Sequence, residues 1–274
     1  MIDLYEQYKN RKKLSVRKKI HSMYSVNKID IFEVFRRICD ANSILDIGCG
    51  GGDLLVKIRT SGFKGRLKGI DKYEIYKETA EFCKNHNLNI EFEQIDIARQ
   101  TDPKKWDAGV MINVLCYIPE FRNVIERYSA ICKKIIVVDA GPEAYPNFKR
   151  YYKKLEEVFK IKLKTLGINF TVQDAIVELM KYYGTVDIQR LNDAFRFTEV
   201  GPIIEYFSTN RGGWDPESSD NKWNEILEYV KSTAQKEIDV QGEWFEPKPY
   251  YIITAENPVK NESAAAQVGY ERRK

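Results

Sequence analysis

The 274-residue sequence is poor in metal-binding and redox chemistry: it has two histidines, His21 and His86, and five cysteines, at 39, 49, 83, 116 and 132, with no CxxC pair. Neither histidine has a cysteine or second histidine at ligand spacing, so no metal site is expected. The cysteines lie far apart, three of them in or beside apolar runs, as reduced core thiols do in a reducing compartment. No apolar run reaches the roughly 18 residues of a membrane span. The polar N-terminus also lacks the apolar stretch, about 7–15 residues long, of a secretory signal. These absences give the expectation of a cytoplasmic protein, in which the formal sequon Asn261-Glu262-Ser263 is idle. Charge is nearly balanced, 44 Lys and Arg against 40 Asp and Glu, so the net +4 carries no polyanion-binding signal. The excess is local, with seven basic and two acidic residues in 1–20. That run reads first as a solvated helix face, and second as a contact for nucleic acid or an acidic substrate.

What is present is a rhythm. Up to about residue 145, short apolar runs alternate with helical patterns, the signature of βαβ units around a parallel sheet. SILDIG (43–48), RLKGID (66–71), NIEFEQID (89–96), DAGVMIN (107–113) and KIIVVD (134–139) read as strands. Segments 53–62, 73–86 and 119–132 read as helices, from apolar residues three or four apart. Beyond 145 the alternation breaks. Residues 148–159 put Phe148, Tyr151, Tyr152, Leu155 and Phe159 on one helical stripe, and 171–184 begins like a capping box and ends at a glycine. Residues 187–197 read as a strand, 198–207 as a helix capped by Thr198, 223–238 as a helix and 248–255 as a last strand. The region 145–255 holds 19 of the 34 aromatic residues, so its helices are candidates to form a cap.

Residues 44–53, ILDIGCGGGD, end a strand in a glycine-rich turn that offers backbone N–H groups and a helix N-terminus to a ligand. A P-loop needs Gly-Lys-Ser/Thr after the glycines, and the chain has Gly52-Asp53-Leu54. A dinucleotide fingerprint needs glycine at 53, where an aspartate would face the pyrophosphate with like charge. The spacing Asp46-x-Gly48-x-Gly50-x-Gly52 resembles the first motif of the class I S-adenosylmethionine-dependent methyltransferases. Asp71 at the end of strand two, Asp96 with Ile97 at the end of strand three, and Asn113 at the end of strand four follow in that family's order. The lead-in VRKKIHSMYSVNKIDIFEVF (16–35), FRFTEVGPIIEYF (195–207) and a closing hairpin like WFEPKPYYIITA are similar to one bacterial subgroup, so the resemblance covers about 14–257. The Pro-Pro-Tyr/Phe signature of base-modifying amino-methyltransferases is absent after Asn113, and acidic, lysine-rich sequence at 143–165 departs from the subgroup.

The resemblance implies an α/β, doubly wound, Rossmann-like seven-stranded sheet, mostly parallel with the last strand antiparallel. Around it are expected an N-terminal helical lead-in (1–42), a methyltransferase domain (43–256) with cap insertions at about 143–186 and 198–240, and a flexible tail (257–274). It implies S-adenosylmethionine contacts from Tyr24, Asp46, Gly48, Cys49, Gly50, Asp71, Lys72, Asp96, Ile97 and Asn113. In that family the carboxylates at 71 and 96 grip the ribose and the adenine amino group. His21, with an ordinary pKa near 6.5, is the candidate general base, Asn27 a candidate to close over the cofactor, and His86 a turn residue. The expected reaction is methyl transfer to an oxygen or nitrogen of a small molecule. The alternatives are RNA or protein methylation and a non-catalytic, cofactor-binding partner subunit.

Overall fold

The computed structural model describes residues 11–28, 30–161, 170–211 and 219–259. In chain order the helices are α1 (Arg11–Tyr24), α2 (Ile31–Ile38), α3 (Asp53–Thr60), α4 (Lys77–Asn85), α5 (Phe121–Ser129), α6 (Pro146–Phe159), α7 (Val172–Leu179), α8 (Gly201–Ser208) and α9 (Asp220–Gln241). The strands are β1 (Ser43–Ile47), β2 (Arg66–Asp71), β3 (Glu91–Gln94), β4 (Trp106–Ile112), β5 (Cys132–Ala140), β6 (Tyr183–Leu191), β7 (Ala194–Phe197), β8 (Trp244–Pro247) and β9 (Tyr250–Pro258). The chain forms two compact units. Of the described residues, a sheet unit comprises 31–139, 170–190 and 251–259; an aromatic unit comprises 11–28, 30, 140–161, 191–211 and 219–250.

The sheet unit is built on seven strands in the order β3-β2-β1-β4-β5-β9-β6. Four of the five residues of β1 and four of the six of β2 are buried, as expected of parallel strands covered on both faces. β3, the edge strand, is short and carries Glu91, Glu93 and Gln94 outward, side chains that discourage edge pairing. β9 runs against its neighbours. Its C-terminal end meets their beginnings, Glu256 pairing with Lys134 at 3.1 Å and Asn257 donating to Thr185 at 3.0 Å. The core between sheet and helices gathers Leu45, Ile70, Trp106, Val124, Ile135 and Leu179, all at most 1% exposed.

In the aromatic unit β7 and β8 form a separate antiparallel pair. Phe148 on α6 meets Trp244 edge-on at 5.1 Å and Phe207 at 5.0 Å. Phe148, Tyr151 and Leu155 of the predicted stripe are buried. Arg17 on α1 donates to Thr209 Oγ1 at 2.8 Å and to Asn210 just after α8, so part of the basic N-terminal run is an anchor.

Several boundaries differ from the sequence reading. The capping box at Thr171 forms, with Asp174 N donating to Thr171 Oγ1 and Thr171 N to Asp174 Oδ2, but α7 ends at Leu179 and not at Gly184. Tyr183 and Gly184 instead open β6, where the Tyr183 hydroxyl donates to Cys132 O at 2.9 Å. The expected strand 187–197 breaks at Asn192-Asp193, because Asp193 accepts from Ala194 N and turns the chain. Thr198 is not the cap of α8. The N-cap is Val200, with a proline in the first turn, where its missing N–H costs no hydrogen bond. WFEPKPYYIITA is no hairpin: Pro247 and Pro249 interrupt it, so β8 pairs with β7 while β9 joins the large sheet. The expected tail begins too early, since Asn257 and Pro258 complete β9; residues 260–274 lie outside the described residues, as does the sequon.

Candidate cofactor site

β1 lies between β2 and β4, so the chain moves outward to β2 and β3 and then returns to the other side of β1. Such a reversal leaves a crevice at the carboxyl ends of the strands, where ligands of doubly wound sheets sit. The glycine turn lies there. Gly48 N and Cys49 N both donate to Ile70 O, at 2.8 and 3.0 Å, and Gly52 N donates to Cys49 O at 2.9 Å, leading into α3.

The three glycines have different reasons to be glycine. All have positive φ: 76° at Gly48, 52° at Gly50 and 74° at Gly52. A Cβ at Gly48 would lie 2.3 Å from Val114 Cγ2, and one at Gly52 would lie 2.6 Å from the Phe92 ring. Packing forbids both. A Cβ at Gly50 would meet nothing within 4 Å. The backbone is therefore bare toward open space at Gly50, where a ligand can approach it.

Asp71 clasps that crest. Its Oδ2 accepts from Gly50 N at 2.8 Å and its Oδ1 from Tyr73 N at 2.9 Å, with Lys72 N a third backbone donor to the carboxylate; a carboxylate's roughly four acceptor sites leave room for one more. Burial raises its pKa, against the opposing pull of these N–H donors. Asp46, 4% exposed, is pushed up to about 7 by burial and then by the charge of Asp71. The Cys49 thiol is pushed well up by burial and both carboxylates, which keeps it a thiol and not a nucleophile.

Asp96 makes an Asx turn, accepting from Ala98 N at 3.1 Å, and sits 3.5 Å from Lys72 Nζ and 3.8 Å from Arg99 Nε. Ile97 is 5% exposed and packs into the core. Asn113 is exposed, with φ 51°, a left-handed conformation that asparagine tolerates better than most residues, and its N–H donates to Val138 O at 2.8 Å. Carboxylates thus stand at the ends of β1, β2 and β3. Their field suits a ligand with a cationic end and opposes a pyrophosphate.

His21 and Tyr24 belong to the aromatic unit. His21 sits edge-on to Phe195 at 4.7 Å, and burial, then Lys248, then Arg17 lower its pKa to about 3. It is a weak proton acceptor, which counts against the general-base role. Tyr24 donates to Glu199 at 3.2 Å and packs on Phe197 at 5.1 Å. Asn27 holds the turn between β6 and β7, its backbone N donating to Asp193 Oδ1 at 3.1 Å. His86 stacks on Phe82 at the end of α4, a turn residue as expected.

Sequence reasoning passed over Asp139, 5% exposed at the end of β5 and hydrogen-bonded to Cys116. It repeats the strand-end acid at 46, 71 and 96, the signal that could have found it. A cleft of about 390 Å³ lies at the opposite, amino end of β1, β4 and β5. Ion pairs of Lys133 with Asp107 and of Lys134 with Asp40 and Glu256 line it, so it is a structural feature apart from the glycine turn.

Residues 44–135 match the model of a family described as methyltransferase domain. Among solved structures, the YcgJ protein of Bacillus subtilis aligns at TM-score 0.56 and 13% identity, over 82% of this chain and 97% of that one. A methyltransferase candidate from Bacillus halodurans C-125 aligns at 0.56 and 12%, over 84% and 100%. The [4+2]-cyclase SpnF aligns at 0.57 and 14%, over 94% of both chains. At such identities these likenesses show the fold. No curated protein matches the sequence. Fold and glycine turn define a Rossmann-like methyltransferase domain. More particularly, residues 44–135, which hold the glycine turn with Asp71 and Asp96, carry the likeness to a methyltransferase domain.

Proposed function

We propose that the protein methylates an oxygen or nitrogen of a small molecule in the cytoplasm. The observation that carries the cofactor half of this reading is the clasp of Asp71 on Gly50 N at 2.8 Å, beside the open space over Gly50. The groups able to hold S-adenosylmethionine are the bare crest at Gly50, the remaining acceptor capacity of Asp71, Asp96 beside Ile97, and Asn113, with Asp46 buried behind the turn. When bound, the cofactor supplies an electrophilic methyl group on a cationic sulfur. The protein's own work is then to orient and to exclude water. Positioning alone can contribute on the order of 7–11 kcal/mol to such a displacement, which is why no proton-transferring side chain has to be present.

Five free cysteines among the described residues, with thiols at 39, 49, 83, 116 and 132 held protonated by burial, support a reducing compartment. No described helix is long and apolar enough to cross a membrane. Incubating the protein with isotopically labelled S-adenosylmethionine and a metabolite extract of its own cell tests the reading; a small molecule heavier by one methyl group is the expected result. Label appearing only in RNA or protein, with activity falling steeply as salt rises, would replace it by a macromolecular acceptor. Fold does not choose the chemistry, since a neighbour of the same fold is described as a [4+2]-cyclase. Cofactor binding without transfer to any fraction would therefore favour a non-methylating role.

A further inference from the structure

Asp139 is a buried acid with no part in the cofactor contacts named above. The four residues before it on β5, Ile135, Ile136, Val137 and Val138, are each at most 1% exposed, and Asp139 itself is 5% exposed. A carboxyl group buried there is costly unless hydrogen-bond donors compensate it. One donor is the thiol of Cys116, which burial and then the charge of Asp139 keep protonated. The pair ties the carboxyl end of β5 to the segment that follows β4.

That segment is held at both ends. Asn113 N donates to Val138 O at 2.8 Å, directly after the last registered pair of β4 and β5, Ile112 with Val138. At the other end Leu115–Tyr117 forms a single 3-10 turn, in which Tyr117 N donates to Val114 O and Ile118 N to Leu115 O, both at 3.1 Å. Leu115 is fully buried in the core, and Cys116 reaches back to Asp139. Between these holds stand the left-handed Asn113, φ 51°, and then Val114. A backbone conformation of this kind persists only where the surroundings enforce it.

Val114 is the link to the glycine turn. Its Cγ2 lies 2.3 Å from the point where a Cβ on Gly48 would stand, so valine and glycine fit face to face. Gly48 N and Cys49 N share the Ile70 carbonyl, and the next residue is the open crest at Gly50. Every member of the chain from Asp139 to Gly50 belongs to the sheet unit. Loss of the Asp139 bond therefore loosens Cys116, then Val114, then the turn.

We propose that Asp139 is a positioning residue of the cofactor site, holding segment 113–116 against Gly48 through its hydrogen bond with the Cys116 thiol; the inference rests on the cofactor reading above. The role requires an acceptor oxygen at 139 and a donor at 116. It requires neither a charge nor a thiol as such.

Calorimetry of S-adenosylhomocysteine binding to the whole chain, run beside thermal melts, tests this. Asp139→Ala and Cys116→Val each remove one partner and should weaken binding about fivefold, the worth of one hydrogen bond. The double variant should bind within about twofold of the weaker single variant, because residues acting through one contact are not additive. Asp139→Asn keeps an acceptor and Cys116→Ser a donor, so each should return to within about twofold of wild type. Tyr183→Phe separates positioning from stability alone: it deletes the bond to Cys132 O at 2.9 Å, at the opposite end of β5, and should lower the melting temperature with S-adenosylhomocysteine affinity unchanged. If Asp139→Ala does not fold, Cys116→Val against Cys116→Ser decides. Undiminished binding by Cys116→Val, equal losses in Asp139→Asn and Asp139→Ala, or the same loss in Tyr183→Phe overturns the inference. Wild-type protein that binds no S-adenosylhomocysteine overturns the cofactor reading, and the inference with it.

Discussion

The two units are built from different materials. In the sheet unit the carboxylates of Asp46, Asp71 and Asp96 end three adjacent strands around a bare glycine crest, a negative surface that favours a cationic ligand. In the aromatic unit packed rings surround a buried histidine, and the buried Lys248 charge is already paired with Asp193. One half uses backbone and charge, the other ring faces and hydroxyls.

The largest effect that could break this contrast lies at Asp71. Asp71→Ala removes the clasp on Gly50 N and Tyr73 N and the lone pairs available to a ligand. S-adenosylhomocysteine affinity should fall more than about 100-fold, since hydrogen bonds to a charged group are each worth about 1.5–3 kcal/mol. Calorimetry giving a loss under about fivefold would show that the negative crest is not the cofactor's surface.

A second contrast sharpens the reading inside the turn. Gly52→Ala adds a Cβ 2.6 Å from Phe92 at φ 74° and should lower stability by about 2–4 kcal/mol. Gly50→Ala meets open space and pays only the left-handed strain, about 1–2 kcal/mol, while its methyl intrudes where the ligand lies. Thermal melts and cofactor titrations should therefore separate them, stability falling more at 52 and binding more per unit of stability at 50. The reverse order would move the ligand away from Gly50.

How legible these two surfaces were in the sequence follows from their physics. Strands β1, β2, β4 and β5 announce themselves because parallel strands buried on both faces are continuous apolar runs, and the glycine spacing is local in the chain. The strand-end acids at 71 and 96 could be read because each follows its own apolar run. The clasp of Asp71 on Gly50 could not, since it joins residues 21 apart through parallel registry of β1 with β2. The aromatic unit is assembled from three separated segments, so its rings share no local period. Only the enrichment of aromatic residues after 145 hinted at it. The break at Asn192-Asp193 and the fate of WFEPKPYYIITA were hidden for the same reason: which sheet a strand joins is a long-range choice.

A smaller effect concerns pH. Glu246 on β8 is fully buried, its Oε1 accepting from Asn147 N at 3.1 Å at the start of α6, and burial raises its pKa to about 7 from the usual 4.5. The folded state therefore holds a proton that the unfolded chain releases above pH 4.5. Stability from this group is present below the unfolded pKa and is lost as pH rises toward about 7. Glu246→Gln keeps the acceptor for Asn147 and has no proton to lose. It should flatten the decline between those pH values and raise stability above neutrality by on the order of 2 kcal/mol, read from urea melts at several pH values. An unchanged slope would mean that Glu246 is charged in the folded protein.

The smallest effect is expected at His21, and its shape matters more than its size. If the imidazole took a proton from the acceptor at its ordinary pKa, activity would fall on the acid side near 6.5 and the fall would vanish in His21→Gln. Burial and the fields of Lys248 and Arg17 instead hold its pKa at about 3, so it stays neutral across the working range and cannot create such a limb. The substitution removes an edge-on contact with Phe195 at 4.7 Å, an interaction of about 0.5–1.5 kcal/mol. kcat/KM should drop by a few-fold through loosened packing, with the pH at which activity is half-maximal unmoved. A limb near 6.5 that disappears in the variant would restore the histidine as the base.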